Sequence, residues 1–549
     1  MSSGLLGVAV SGLQAFQRGI SVAGHNITNA NTEGFSRQRV ELNTRAASYT
    51  GAGYIGNGVQ IGGIDRMYDQ FAIDNLRTAT SSSSRYDSLA TYSSRVSNLL
   101  SDEKTGLNIG LEEFFNAVQT VADDPSSGPA RQLLISEAGS LVSRFENLDT
   151  QLESMRDEIN AGLKTMVSEV NSLSNAIAET NRKIVDASGR SQGEVPNDLL
   201  DARDQLVNQL SGLVAVRTLE QDDGALNVFV GSGQSLVTGV LSSELRTIPN
   251  AFDAQRLEIG ISTGGAVAIV TDSMTGGKLG ATLDFEEQVL NPTQNALGRI
   301  AVTMATEFNA QHNSGMDLNG VAGGDFFGIS APTVAPNANN SGGATITAAF
   351  DSANIDELTT DDYILGFDGA VWSLSRARDG QAVSMTGTGP YFANGIEIAI
   401  AGGATAGDRF MIKPTEGGGN GLSVAIDNPR DIAAAAQAAG PAPGDNSNAL
   451  LLAGLQTALT MEGGTTNFQG AYGQLIGDLG TKTRSAQITA QAQGAILARA
   501  HEVRDAVSGV NLDEEAADLI RFQQAYSAIA QVISVADSTF QTLLGAIGR

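Results

Sequence analysis

Apolar residues recur every seven positions at both ends of the chain. Leu6, Leu13, Ile20 and Ile27 form one row near the start, with Ala9, Phe16, Ala23 and Ala30 three residues on. Leu512, Leu519, Tyr526, Ile533, Phe540 and Ile547 form a matching row at the other end, accompanied by Phe522, Ile529, Ala536 and Leu543. A strict seven-residue repeat draws a narrow stripe along a helix, and such a stripe needs a facing helix. The two ends are therefore expected to pair as a coiled coil, with each other or with neighbouring copies. The expected assembly interface comprises Leu6, Leu13, Phe16, Ile20, Ile27, Leu512, Leu519, Phe522, Tyr526, Ile529, Ile533, Phe540, Leu543 and Ile547. Burying one such side chain is worth roughly 1.5–3 kcal/mol, a gain that an isolated helix cannot collect. The ends are thus expected to be weakly ordered alone and to fold on assembly. The plainer alternative is the core face of an ordinary bundle. It fits less well because each stripe runs almost to a terminus, where domains fray.

Between these ends the pattern changes several times. The first helix is expected over about 4–26, stopped by Asn26-Ile27-Thr28-Asn29-Ala30-Asn31-Thr32-Glu33-Gly34-Phe35-Ser36-Arg37-Gln38, whose asparagines and glycine favour turns. Residues 39–64 alternate polar and apolar positions, with glycines, and predict a short extended segment or a hairpin. Residues 65–213 read as mostly helical, with the longest stretch over 131–186. There Phe145, Leu152, Ile159, Met166 and Leu173 are seven apart, the mark of a long bundle or coiled coil. Short β-rich runs follow over about 214–280, helix over about 283–312, a second β-rich block over 344–426, and helix from 432 onward broken at Gly440–Gly444. The expected fold is multidomain α+β: paired terminal helices (1–35 with 508–549), a helical-bundle stem (36–330 with 432–507, including a β-rich part near 214–280), and a β-rich outer domain inserted at 340–428.

Composition narrows the partners. Asp and Glu number 60 against 33 Lys and Arg, giving a net charge of -27. That charge disfavours nucleic acid and anionic membrane surfaces. No cysteine is present, so neither a disulfide nor a thiolate metal site can form. No apolar run approaches the roughly 20 residues that span a bilayer, so no membrane insertion is expected. The opening residues Met1 to Leu6 carry no basic leader, so any export is expected to proceed without cleavage.

Candidate chemistry is sparse. Gly260-Ile261-Ser262-Thr263-Gly264 matches a nucleophile-elbow pattern, but a strand follows where the elbow needs a helix, which predicts a hairpin turn. Gly231-Ser232-Gly233 begins like a dinucleotide fingerprint, but Leu236 stands at the third glycine. Asp317, Asn319, Gly320 and Asp325 offer oxygens for calcium without the EF-hand spacing, and read as a polar turn. His25 reads as a helix-end residue. Asp361 with Asp362, and Asp513 to Glu515, read as solvated acids, the latter favourably placed in a helix's first turn. No catalytic constellation, cofactor site or metal site is expected. Trp372 and Tyr391 are the aromatic pair that a glycan-binding alternative would use.

Taken together, the motifs resemble those of the axial proteins of the bacterial flagellum. The segment Asn26–Gln38 is similar to the one that follows the first helix in rod, hook and first junction proteins, and Asn26, Asn29, Asn31, Gly34 and Phe35 are its marker positions. Pro196-Asn197-Asp198-Leu199-Leu200-Asp201-Ala202-Arg203-Asp204, Gly277-Lys278-Leu279-Gly280, Phe308-Asn309-Ala310-Gln311-His312 and Ser508-Gly509-Val510-Asn511-Leu512-Asp513-Glu514-Glu515 narrow the resemblance to the hook-associated protein 1 family. That resemblance implies a non-enzymatic structural subunit at the junction of hook and filament. It implies self-association in a ring, contacts with the hook subunit and a second junction protein, and an export chaperone on the C-terminal helix. It also implies export through the flagellar apparatus with an uncleaved N-terminal signal, and an extracellular place in the flagellum. A hook or filament subunit is the alternative within the same class.

Overall fold

The computed structural model describes residues 2–49, 51, 53–102, 106–190, 196–263, 265–437 and 443–547, without the side chains of Ser2, Ser3, Thr263, Leu543 and Ile547. Helix α1 (Ser2–Asn29) runs three residues beyond the expected stop. A two-stranded ribbon follows, strand Gln38–Thr44 pairing antiparallel with Val59–Arg66 and bulging at Gly62. Then come α2 (Gln70–Leu100), α3 (Leu107–Asp123), α4 (Gly128–Arg190) and α5 (Asn197–Leu213). Asp69 caps α2 by accepting the Ala72 N–H at 3.1 Å. With 63 residues, α4 is about 95 Å long at 1.5 Å per residue. Along its heptad row Phe145, Leu152 and Ile159 are buried, while Met166 and Leu173 are half-buried.

The small β part lies against α4. It holds a four-stranded sheet (216–220, 226–230, 234–238, 241–242) and a three-stranded one (244–249, 257–263, 266–269). Helix α6 (Gly277–Phe285) starts earlier than its expected position near 283. Gly276 and Gly277, at φ 72° and 58°, make the tight entry that only glycine tolerates, and this lets Leu279 reach the core. A single π-helical segment, Glu286–Leu290, joins α6 to α7 (Asn291–Asn313).

The outer block is entirely antiparallel. Its five-stranded sheet runs 333–336, 409–413, 363–367, 372–376, 382–383, beside a three-stranded sheet of 345–350, 396–401 and 391–393. Its core is separate from that of the stem, and Val302 of α7 reaches into it. In the stem, Phe114, Phe308, Phe326 and Phe327 pack ring against ring at 4.9–6.3 Å.

Beyond residue 432 the expected helix does not form at once. Strand Ala435–Ala436 pairs with Gly315–Met316, and only then come α8 (Ser447–Gly454), α9 (Phe468–Ser508) and α10 (Leu512–Ile547). The alanines at 433–436 favour helix, but tertiary bonds override that propensity. Buried Arg131 donates to the Ile432 carbonyl at 2.7 Å, and the Ala433 N–H donates to His312 Nε2 at 2.8 Å. Residues 438–442, which include Gly440, lie outside the described set.

Candidate assembly interface

Helices α1 and α10 lie against each other, antiparallel, within the one chain. Gly12 faces Ile529, Gly19 faces Phe522, and Asn26 bonds Glu515. Each step is seven residues forward on α1 and seven back on α10. A Cβ on Gly12 would stand 2.7 Å from Ile529 Cδ1, and one on Gly19 would stand 3.0 Å from the Phe522 ring. The contact therefore depends on glycine's lack of a side chain, which brings the α1 backbone close to α10. Ala9 and Ala23 are buried beside this row, and Phe16 meets Phe522 with ring centroids 6.2 Å apart.

Within the chain the row of α1 that faces α10 is Gly12, Gly19, Asn26, one residue before Leu13, Ile20 and Ile27 of the expected assembly interface, because the closest approach belongs to the smallest residues. Leu13, Phe16, Ile20, Leu519, Phe522, Tyr526, Ile529 and Ile533 are half-buried. Leu6, Ile27, Leu512 and Phe540 remain 36–52% exposed, so the intrachain pairing does not cover them. Leu543 and Ile547 have side chains outside the described residues.

The motif loop after α1 is a polar junction where distant parts of the chain meet. Asn26 is buried; its amide donates to the Gln38 carbonyl at 2.9 Å and to Glu515 at 3.0 Å, and its Oδ1 accepts the Gln38 N–H at 3.0 Å. Arg37 donates to Glu514 and Glu515, both at 2.7 Å, and its backbone N–H meets the Ser508 carbonyl at 2.8 Å. Burial pulls the Arg37 guanidinium down, but the two glutamates outweigh it and hold it above its ordinary value.

The 196–204 motif supplies the other side. Asp201 accepts the Ser36 N–H and pairs with Arg66, each at 2.9 Å. Asp204 links Arg66 at 2.8 Å to Arg77 at 2.7 Å, and Asn197 donates to the Ile64 carbonyl. Asp198 takes the Gln38 amide at 3.1 Å and lies 3.5 Å from His25, whose ring meets Phe35 edge-on. Gly34 sits at φ 84° with Gln205 2.9 Å from where its Cβ would be, so any other residue would be strained there. Asn29 bonds back to His25 and takes the Thr32 hydroxyl, while Asn31 is exposed.

Glu515 was expected to be solvated and is instead buried, with 4% of its side chain exposed. Asp362 is likewise not a free surface acid. It takes the Asn295 amide at 3.2 Å, and burial pushes its carboxyl up to about 6. Only Asp361 keeps to the rim, near Arg376 and Arg378. Ser262 lies in a strand opposite Val267, the hairpin its context predicted, with Gly264 outside the described residues. Asp317 accepts the N–H groups of Asn319 and Val321 at 2.8 Å, closing a polar turn. Trp372 packs its ring on Phe367 and Phe410. Among the described residues no cluster of His, Asp and Glu is arranged to hold a metal ion, and no helix is long and apolar enough to cross a membrane.

Helices from both ends of the chain, joined through the motif loop and the ribbon to a long stem that carries β domains, define a helical structural subunit. Residues 93–327 match the flagellar hook-associated protein FlgK helical domain, and 335–414 match the flagellar hook-associated protein 1 D2-like domain. Residues 6–35 match the flagella basal body rod protein family, and 506–546 match the flagellar basal body rod FlgEFG protein C-terminal family. The chain is 33% identical to flagellar hook-associated protein 1 of Salmonella typhimurium, over 99% of each chain. It is 34% identical to that of Escherichia coli, again over 99% of each. The solved flagellar hook junction protein FlgK from Burkholderia pseudomallei aligns with a TM-score of 0.73 at 26% identity, covering 79% of this chain and 100% of its own. The chain belongs to the flagellar hook-associated protein 1 (FlgK) family.

Proposed function

We infer that the chain is a structural, non-catalytic subunit of the junction between flagellar hook and filament, on which the filament assembles. The observation that carries this reading is the likeness to hook-associated protein 1 along 99% of both chains. The subunit works outside the cell as part of the flagellum.

Copies associate side by side in a ring. The terminal unit (1–35 with 508–549) lies innermost as a coiled coil, the stem (36–330 with 432–507) packs around it, and the outer domain (340–428) faces out. Support for this division comes from the seven-residue steps of the α1–α10 contact and from the separate core of the outer sheets. Leu6, Ile27, Leu512 and Phe540, left uncovered in one chain, are the residues a neighbouring copy covers. Exposed Ile520, Val532, Val535 and Leu544 on α10 give an export chaperone an apolar face to shield. The hook subunit and a second junction protein are the axial neighbours.

The test is deletion of the gene, with imaging of the cells and an assay of the medium for flagellin. Hooks without filaments, and flagellin lost as monomer, are the expected result. Filaments still attached to hooks would end this reading.

A further inference from the structure

The outer β domain meets the stem through a buried cluster of charges whose signs do not balance. Lys413, at the end of an outer strand, donates to Asp253 and Glu416, both at 2.7 Å. Glu416 also accepts from Arg256 at 2.8 Å and from Arg156 of α4 at 3.3 Å. Arg156 reaches α7, donating to Gln294 at 2.7 Å and Asn291 at 3.0 Å. Gln294 in turn donates to Asp149 of α4 at 3.1 Å. Asp362, from the segment before an outer strand, takes the Asn295 amide and faces Arg256, Lys413 and Glu416. Glu286, in the π-helical segment, faces Arg256, Arg156, Lys413 and Asp253. Half-buried Glu153 faces Asp149. Arg156, Arg256 and Lys413 thus meet Asp149, Asp253, Glu286, Asp362 and Glu416, three cations against five carboxylates.

Asp253 and Glu416, which touch the cations directly, hold their charge against burial. Asp149 and Asp362 do not. Each has a neutral amide as its hydrogen-bond partner, and burial is the largest influence on both, raising each to about 6. Glu286 is raised by burial as well. These surplus carboxylates lie between elements of the two bodies: α4, α7 and the π segment on one side, and the segments around 362 and 413–416 on the other.

We propose that this junction is a proton-operated lock: a proton on the surplus carboxylates fastens the outer domain to the stem, and its loss lets the domain rock. In an opened junction Asp149 and Asp362 return to water and to their ordinary acidity. The closed form therefore binds protons more tightly than the open one. Lowering the pH through about 6 favours closure, and raising it favours opening.

The chain contains no cysteine, so two labels can be placed cleanly. Lys164→Cys on the exposed face of α4 and Ala370→Cys on an outer-domain turn take nitroxide labels in the full-length protein. Their distance distribution by pulsed electron resonance is expected to be narrower at about pH 5 than at about pH 8. Adding Asp149→Asn with Asp362→Asn keeps both hydrogen-bond acceptors but removes the surplus charge, and is expected to give the narrow distribution at both pH values. Equal widths at the two pH values in the parent labelled protein would overturn the lock, and so would a width change that survives the two asparagines. The parent comparison decides the matter even where the asparagine variant does not fold.

Discussion

Asn26 and Glu515 stand 489 positions apart in sequence and share a buried hydrogen bond of 3.0 Å. One amide thereby joins the end of the first helix, the start of the ribbon and the first turn of the last helix. Asn26→Ala strands the Gln38 N–H, and Glu515 loses a donor. An unsatisfied buried polar group costs about 1–3 kcal/mol. Asn26→Asp is expected to do more harm, because it sets a second carboxylate against Glu515. Hydrogen exchange should register this as protection over 20–40 and 512–525 falling by about tenfold or more. Unchanged protection in Asn26→Asp would mean that this bond does not hold the termini.

Gly19 makes a steric prediction on the same pair of helices. Its absent Cβ already lies at the limit of contact with Phe522. Gly19→Leu has to push α10 away, and forced overpacking costs typically about 1–3 kcal/mol. Gly19→Ala should be milder, since the added helix propensity of about 1 kcal/mol offsets part of the crowding. Protease cleavage rates in α10 should therefore rank Leu far above Ala, with Ala near the parent.

The contrast between these two residues marks what sequence could and could not show. The seven-residue period and the last helix at 512–547 were legible, because apolar spacing reports helix faces directly. The contact row on α1 was not, because glycines carry no hydrophobic signal and their role depends on what lies opposite. The marker positions Asn26 and Gly34 were visible as turn formers, but their partners Glu515 and Gln205 come from elsewhere in the chain. Arg37, Arg66, Asp201 and Asp204 were missed as a network for the same reason. The available hint was the density of charge within 196–204, a stretch otherwise ordinary for a helix. Residues 432–436 misled through alanine content, where Arg131 and His312 decide the backbone instead.

Gly298 on α7 touches the backbone of the segment that follows the outer sheet. A Cβ there would lie 1.8 Å from the Thr415 carbonyl oxygen. Neither backbone can swing aside as a flexible side chain could. Gly298→Ala should therefore separate α7 from 415–418 despite its better helix propensity, and destabilise the protein by several kcal/mol, in the tail of single substitutions. Thermal unfolding should show a clear drop in melting temperature. An unchanged melting temperature would mean that this close approach relaxes at little cost.

His312 sets an acid limit on the stem. Its Nε2 accepts the Ala433 N–H at 2.8 Å and its Nδ1 contacts the Gly324 carbonyl at 2.7 Å, so the ring is neutral with the proton on Nδ1. Burial holds it below its ordinary value, with nearby Arg131 adding to the effect. The unfolded chain therefore takes up the histidine proton first. Stability from this site is full above the ordinary histidine value of about 6.5 and falls as the pH drops below it. The junction carboxylates Asp149 and Asp362 work in the opposite direction over part of this range. His312→Gln should flatten the acid limb of a melting-temperature profile, whereas Asp149→Asn should leave that limb and change the slope between about pH 4 and 6.

The row Leu519, Tyr526 and Ile533 separates pairing within a chain from pairing between chains. Contacts to α1 run through Glu515, Phe522 and Ile529, and the neighbouring row is only half-buried. Its continuations Leu512 and Phe540 are 52% and 47% exposed. Polar substitution of Leu519, Tyr526 and Ile533 should therefore leave α1 and α10 helical and docked in the monomer. In an assembled ring the same three would forfeit a large part of the roughly 1.5–3 kcal/mol that each fully buried side chain contributes, weakening each contact by about a hundredfold or more. The expected outcome is a monomer with parental circular dichroism that no longer restores filaments to cells lacking the gene. Restoration of filaments by the triple variant would show that neighbouring copies do not meet along this row, and would move the search to the stem.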